Sequence, residues 1–167
     1  MGNKGEFVQS IQDVFSATPC KWDLDQGSVP TNVSEGEVIF TSFQQDDVAI
    51  YTDVVLSGRY NKEEGVDMEV TYKTEGDAQG NLHLIYDYML TESGNAPSGT
   101  FVEQRSVNAH STTGITQLTI EGVLPTMENI ADNSIVTFRF GRLGADAGDT
   151  LVGGFEVLSV RFFQKGF

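Results

Sequence analysis

The segments Ile135-Val-Thr-Phe-Arg-Phe-Gly-Arg-Leu143, Gly144-Ala-Asp-Ala-Gly-Asp-Thr150 and Phe155-Glu-Val-Leu-Ser-Val-Arg-Phe-Phe163 decide the fold. In the first, Val136, Phe138 and Phe140 fall on one row and Ile135, Thr137, Arg139 and Gly141 on the other, because successive side chains of a strand point to opposite faces. The apolar row is the expected core row. With the Asp-rich loop and the returning segment, Ser134 to Phe163 reads as one long antiparallel hairpin. Arg142 ends the first strand at the rim, where a charge needs a partner or water, and Asp146 and Asp149 lie just beyond it. Two readings of that loop stand side by side. In one, Arg142, Asp146 and Asp149 form a clamp that closes the rim. In the other, the two aspartates and loop carbonyls hold a cation such as calcium, although their spacing matches no EF-hand or RTX pattern.

Period-two patterning extends back from this stretch to Glu37. Val38 and Phe40 open a strand running to about Phe43, and Val48, Ile50, Val54 and Leu56 share a row of the next. Met68, Val70 and Tyr72 alternate with charged and polar residues, the signature of a sheet with one wet face. Leu82, Leu84, Tyr86, Tyr88 and Leu90 point inward on a fourth strand, and the opposite row of His83, Ile85, Asp87 and Met89 is mixed enough to be partly covered. Phe101 to Ala109 is polar on both rows and suits an edge. Leu118 and Ile120 face inward on a sixth strand, and Leu124 to Ile130 suggests one helical turn. Eight such strands with no long helical pattern predict an antiparallel β-sandwich of jelly-roll type over residues 37–167. An immunoglobulin-like order is also compatible with the strand number, but its Cys, Trp, Cys framework is absent.

Residues 1–36 read as an N-terminal arm. Phe7, Val8, Ile11, Val14 and Phe15 fall at helical spacing, predicting a short amphipathic helix over residues 6–16. It is too short to stand alone, so it either closes one end of the domain or serves as an assembly arm. Residues 17–36 are irregular and hold Trp22, the one tryptophan, either a plug over the core edge or a platform for stacking a sugar. Residues 1–7 have no apolar stretch behind Lys4, so no signal peptide is expected, and no apolar run has the length of a membrane span.

The chain of 167 residues suits one domain. Its net charge of -14 argues against binding a phosphate backbone, which needs clustered Lys and Arg. Cys20 stands alone, so no intrachain disulfide forms. His83 and His110 lie on different expected elements without metal-ligand spacing. The carboxylate pairs Asp46-Asp47 and Glu63-Glu64 sit in polar turns, and no nucleophile elbow, phosphate loop, dinucleotide fingerprint or HExxH motif occurs. No enzyme, cofactor or metal is therefore expected.

A strand ending in Phe140-Gly-Arg142, an Asp-rich loop closing in Gly148-Asp-Thr150 and a last strand near the C-terminus resemble the C-terminal part of small jelly-roll virion proteins of tailed bacteriophages. The strands Val48 to Leu56 and Met68 to Tyr72 are similar to that pattern too, so the resemblance spans about Glu37 to Phe163. It implies a structural virion protein, made in the host cytoplasm. Such a protein decorates or cements the head as a homo-oligomer, most simply a trimer, on the major capsid protein. On the last strand, Leu158, Val160 and Phe162 facing the core turn Phe155, Val157, Arg161 and Phe163 outward. With Phe7, Ile11, Val14 and Phe15 these are the expected interface. The alternative on the same sandwich is a carbohydrate- or receptor-binding fibre module, with Trp22, Tyr51, Tyr60 and Tyr86 as stacking aromatics and calcium at Asp146 and Asp149.

Overall fold

Alternating apolar residues do become strands along most of the chain. The computed structural model describes residues 11–15, 21–22, 31–44, 48–54, 61–96, 99–126 and 128–165. In chain order the strands are β1 (Ile11–Phe15), β2 (Lys21–Trp22), β3 (Thr31–Glu35), β4 (Val38–Phe43), β5 (Val48–Val54), β6 (Val66–Thr74), β7 (Gly80–Thr91), β8 (Arg105–His110), β9 (Thr116–Leu124), β10 (Ile135–Arg142) and β11 (Phe155–Lys165). One 3-10 turn, Glu75–Asp77, joins β6 to β7.

Strand pairing fixes the topology. Among the body strands β4 pairs with β11, β5 with β10, β6 with β9 and β7 with β8, all antiparallel. This is a single long ribbon closed at β7 and β8. It is rolled so that β3-β4-β11-β6-β9 form one sheet and β2-β5-β10-β7-β8 the other, with β1 added alongside β11. Rolling such a ribbon into two sheets gives the jelly roll expected from the sequence, and β8 lies at the expected edge.

Three expectations change. The Ser134 to Phe163 hairpin is not one: its two strands exist, but β10 pairs with β5 and β7, whereas β11 pairs with β1, β4 and β6 in the opposite sheet. Residues 143–154 are therefore a crossover, longer than the two to five residues of a tight hairpin loop. The helix expected over residues 6–16 gives way, at Ile11–Phe15, to strand β1, whose pairing with residues 162–165 of β11 outweighs a weak local helical preference. Phe7 lies outside the described residues, as do the side chains of Ile11, Val14, Phe15 and Trp22. The helical turn expected after Leu124 is absent: residues 128 and 129 form only a hydrogen-bonded turn.

The core lies between the sheets. Val136, Phe138 and Phe140 of β10 are buried as expected, as are Met68, Val70 and Tyr72 of β6. Aromatic contacts join the layers. Phe138 stacks on Phe162 with centroids 4.6 Å apart, Tyr51 meets Phe162 at 5.4 Å, and Tyr72 meets Phe155 edge-on at 4.8 Å. A register shift between Val157 and Ser159 resets the rows of β11, as a bulge does. Phe155 and Val157 consequently point inward at 0% and 5% exposure, Val160 and Phe162 also point inward, and Leu158 is 42% exposed. The outward row expected from strict alternation is thus overturned for Phe155 and Val157. Phe163 is buried too, at 2%, with the Arg161 guanidinium 5.0 Å from its ring centre. These residues serve packing and leave no exposed apolar strip on β11.

Truncating Phe162→Ala removes the ring that meets both Phe138 and Tyr51, and is expected to destabilise the domain by about 3–5 kcal/mol. Chemical denaturation followed by tryptophan fluorescence and circular dichroism measures it; a loss below about 1 kcal/mol contradicts this assignment of the core.

Candidate functional site

The Asp-rich crossover becomes structure before it becomes chemistry. Arg142 and Asp149 have side chains 3% and 1% exposed, and the pair is bidentate. Nε of Arg142 donates to Oδ2 of Asp149 at 2.9 Å, and Nη2 donates to Oδ1 at 2.7 Å. Nη2 also donates to the Leu151 carbonyl, and Nη1 to the carbonyls of Gly153 and Phe43, at 2.6, 2.6 and 3.4 Å. Asp149 Oδ2 accepts the His83 backbone N–H as well, at 3.1 Å. The clamp reading therefore holds for Arg142 and Asp149.

Asp146 stands apart from that pair. It is half exposed, accepts the Gly148 N–H at 2.8 Å, and lies 2.9 Å from Nδ1 of His83. The Gly148 amide first, then His83, hold its carboxyl below the ordinary aspartate range. Asp149 is neutralised by an arginine and Asp146 is turned to His83, so the two do not form the oxygen cage that calcium takes. Among the described residues no group of three or more His, Cys, Asp or Glu side chains gathers as a metal set.

Two further charged clusters escaped the sequence reading. On the outer face of the five-stranded sheet, Nη2 of Arg139 donates to Asp87 at 2.6 Å, and its guanidinium covers the Phe101 ring at 4.0 Å. The other oxygen of Asp87 accepts the Gln104 N–H at 2.8 Å. Both residues fall on outward rows in the sequence, but only the register Arg139 to Asp87 brings them side by side. On the other sheet, Lys73 lies 2.7 Å from Glu156 and 2.7 Å from Glu35, and these hydrogen bonds, Glu156 first, raise its pKa. His110 is buried with Nδ1 2.9 Å from the Tyr72 hydroxyl, whose pKa burial raises. His83 and His110 thus serve separate contacts and make no pair. The stacking aromatics divide as well: Tyr51 is core, Tyr86 packs against the core, and Tyr60 lies outside the described residues.

Two open grooves are formed by the described residues. One, of about 250 Å³, is lined by Glu35, Val38, Phe40, Lys73, Gly114 and Ile115. The other, of about 380 Å³, lies where β7 ends and is lined by Leu90, Thr91, Glu92, Asn95, Ala96 and Gly99. Thr91 is 5% exposed and its hydroxyl has no hydrogen-bond partner. A buried hydroxyl without a partner costs about 1–3 kcal/mol, so its place in a groove lining demands an explanation. Leu90, expected in the core, is 39% exposed beside it although it is paired with the buried Val136. Glu92 and Asn95 are exposed and carry the carboxylate and amide of the lining.

Removing one clamp partner strands the other as a buried charge, so Asp149→Ala is expected to destabilise the domain by about 3–5 kcal/mol, read from a urea unfolding curve. Asp146 behaves differently. Its carboxyl titrates lower in the folded state, so its contribution is present above the unfolded pKa and lost as pH falls through the folded one. Asp146→Asn is therefore expected to flatten the fall of melting temperature below about pH 4; a parallel profile for the variant contradicts the coupling.

No protein-family model matches the chain, and no curated protein sequence matches it. Among solved structures it is similar to a xylan-binding module, CBM15, at 10% identity over 95% of this chain and 97% of that one, with a TM-score of 0.49. The CBM22-1 xylan-binding domain from Paenibacillus barcinonensis Xyn10C aligns at 8% identity over 91% and 97%, with a TM-score of 0.37. A cycloisomaltooligosaccharide glucanotransferase from Paenibacillus sp. aligns at 11% identity over 92% of this chain and 18% of that one, with a TM-score of 0.35. At these identities and scores the similarity bears on neither the ligand nor the site of this chain.

Proposed function

We propose that this domain is a non-catalytic recognition module that binds carbohydrate in the groove at the end of β7. The observation that carries the reading is the open groove itself, where the exposed side chains of Glu92 and Asn95 stand beside Leu90. Sugar hydroxyls donate and accept in turn, and this lining offers them the Asn95 amide and the Glu92 carboxylate beside the partly exposed Leu90. A few placed polar groups on an otherwise small-residue surface are what orient a ligand. The groove is open rather than enclosed, which admits part of a polymer as well as a small ligand. It borders a frame held by the β7–β10 ladder, where Thr91 pairs with Ile135, so its β7 side is fixed before any ligand arrives.

A second reading is a structural protein of a tailed-phage virion that assembles as a homotrimer on the major capsid protein. The expected strip of Phe155, Val157 and Phe163 no longer supports it. What bears on it instead is that Ile39, Ile115, Val152 and Leu158 are exposed apolar residues, available to a partner surface if they form one patch. Sedimentation of the purified chain separates the readings: a stable trimer favours assembly, and a monomer that binds polysaccharide favours recognition.

Affinity electrophoresis through gels containing soluble polysaccharides tests the first reading. At least one polymer is expected to retard the native protein. Asn95→Ala, which removes the exposed amide of the lining, is expected to weaken that binding by about tenfold without lowering the melting temperature. Free migration through every polymer overturns the reading.

A further inference from the structure

We propose that the groove beside Thr91 selects saccharides that bear no carboxylate or sulfate group. The inference rests on the carbohydrate reading above and adds the charge class of the ligand. Of the described lining residues, Glu92 alone is charged, and it is exposed; Leu90, Thr91, Asn95, Ala96 and Gly99 complete the lining, with no lysine or arginine among them. An anionic sugar entering here meets a carboxylate and finds no cation to offset its lost hydration.

The arginine of the adjoining strand does not supply that cation. Thr91 pairs with Ile135, whereas Arg139 pairs with Asp87, four residues further along the ladder. The Arg139 guanidinium is bonded to Asp87 at 2.6 Å and stacked on Phe101 at 4.0 Å, so drawing it to the groove strands Asp87, which is fully buried. The long-range field acts in the same direction. The chain carries a net charge of -14, which repels polyanions before contact at low ionic strength. The polar groups of the groove suit hydroxyl ligands instead. The exposed Asn95 amide donates and accepts, and the exposed Glu92 carboxylate accepts two hydroxyl protons at once.

The test uses whichever neutral polysaccharide the native protein binds, its carboxymethyl derivative, and its hydroxyethyl derivative as an uncharged control of equal bulk. Affinity electrophoresis is run at about 20 mM and about 0.5 M salt. The carboxymethyl polymer is expected to bind about fivefold or more weakly than the parent at low salt, the hydroxyethyl polymer about as well as the parent, and the gap to close at high salt. Glu92→Gln is expected to narrow the low-salt gap and Glu92→Lys to reverse it. Equal or tighter binding of the carboxymethyl polymer, equal loss with the hydroxyethyl polymer, or a gap unmoved by either Glu92 variant overturns the inference while leaving the carbohydrate reading standing. Failure of every polymer to bind instead overturns the carbohydrate reading, and this inference with it.

Discussion

The buried guanidinium of Arg142 is the constraint on which the rest of this sandwich depends. It sits at the last position of β10, in one sheet, yet it donates to the carbonyl of Phe43 at the last position of β4, in the other. Its remaining bonds run to Asp149, Leu151 and Gly153, along the crossover that carries the chain between the sheets. A buried charge is tolerated only when paired and fully hydrogen-bonded, and here each of the three guanidinium nitrogens finds an acceptor. The crossover is held from the β7 side too: Leu143 donates to the His83 carbonyl, and Thr150 and Leu151 donate to that of Asn81, at 2.8, 2.9 and 3.1 Å. One ion pair thus fixes where β11 begins and on which layer it lies.

That arrangement explains why local pattern found the strands but joined two of them wrongly. Alternation along Val136, Phe138 and Phe140 states that β10 buries one face; it says nothing about the sheet in which β11 belongs. The answer lies in Arg142 and Asp149, whose partnership was legible as a rim clamp, and in the length of residues 143–154. The outward row of β11 failed for a narrower reason. A single bulge at Leu158 moves every following residue to the other face, and no side chain announces it, since Leu is acceptable on either side. Strand β1 shows the opposite weakness of local reading, because its pairing with the last residues of the chain is contact between distant positions.

The candidate site was less legible than the fold, and the cause is physical. Clustered carboxylates are visible in sequence, so Asp146 and Asp149 drew attention, yet each is satisfied by a neighbour that only folding supplies: Arg142 for one, His83 and the Gly148 amide for the other. Aromatic residues are visible too, and Tyr51 was a reasonable sugar platform until the core claimed it through Phe162. Thr91 carries no motif. Its significance is an unmade hydrogen bond, a property of the surroundings rather than of the residue, and it becomes apparent only when the end of β7 is seen lining a groove.

The same accounting of hydrogen bonds separates the two grooves. Beside Phe40, the polar capacity is already spent within the protein. Lys73 is held between Glu156 and Glu35 and lies 5.3 Å from the Phe40 ring centre, so a ligand there must displace ion pairs to gain hydrogen bonds, exchanging strong charge-assisted bonds for weaker ones. Beside Leu90, a ligand displaces nothing of the kind. The polar side chains of Glu92 and Asn95 are exposed there, so a ligand exchanges water for hydrogen bonds without breaking an ion pair. The groove beside Leu90 is the larger of the two, about 380 against 250 Å³, and the state of their polar groups differs as well. The groove at the end of β7 is thus the one of the pair whose polar side chains are not held in ion pairs, and the charged groove on the opposite sheet is bound into the architecture.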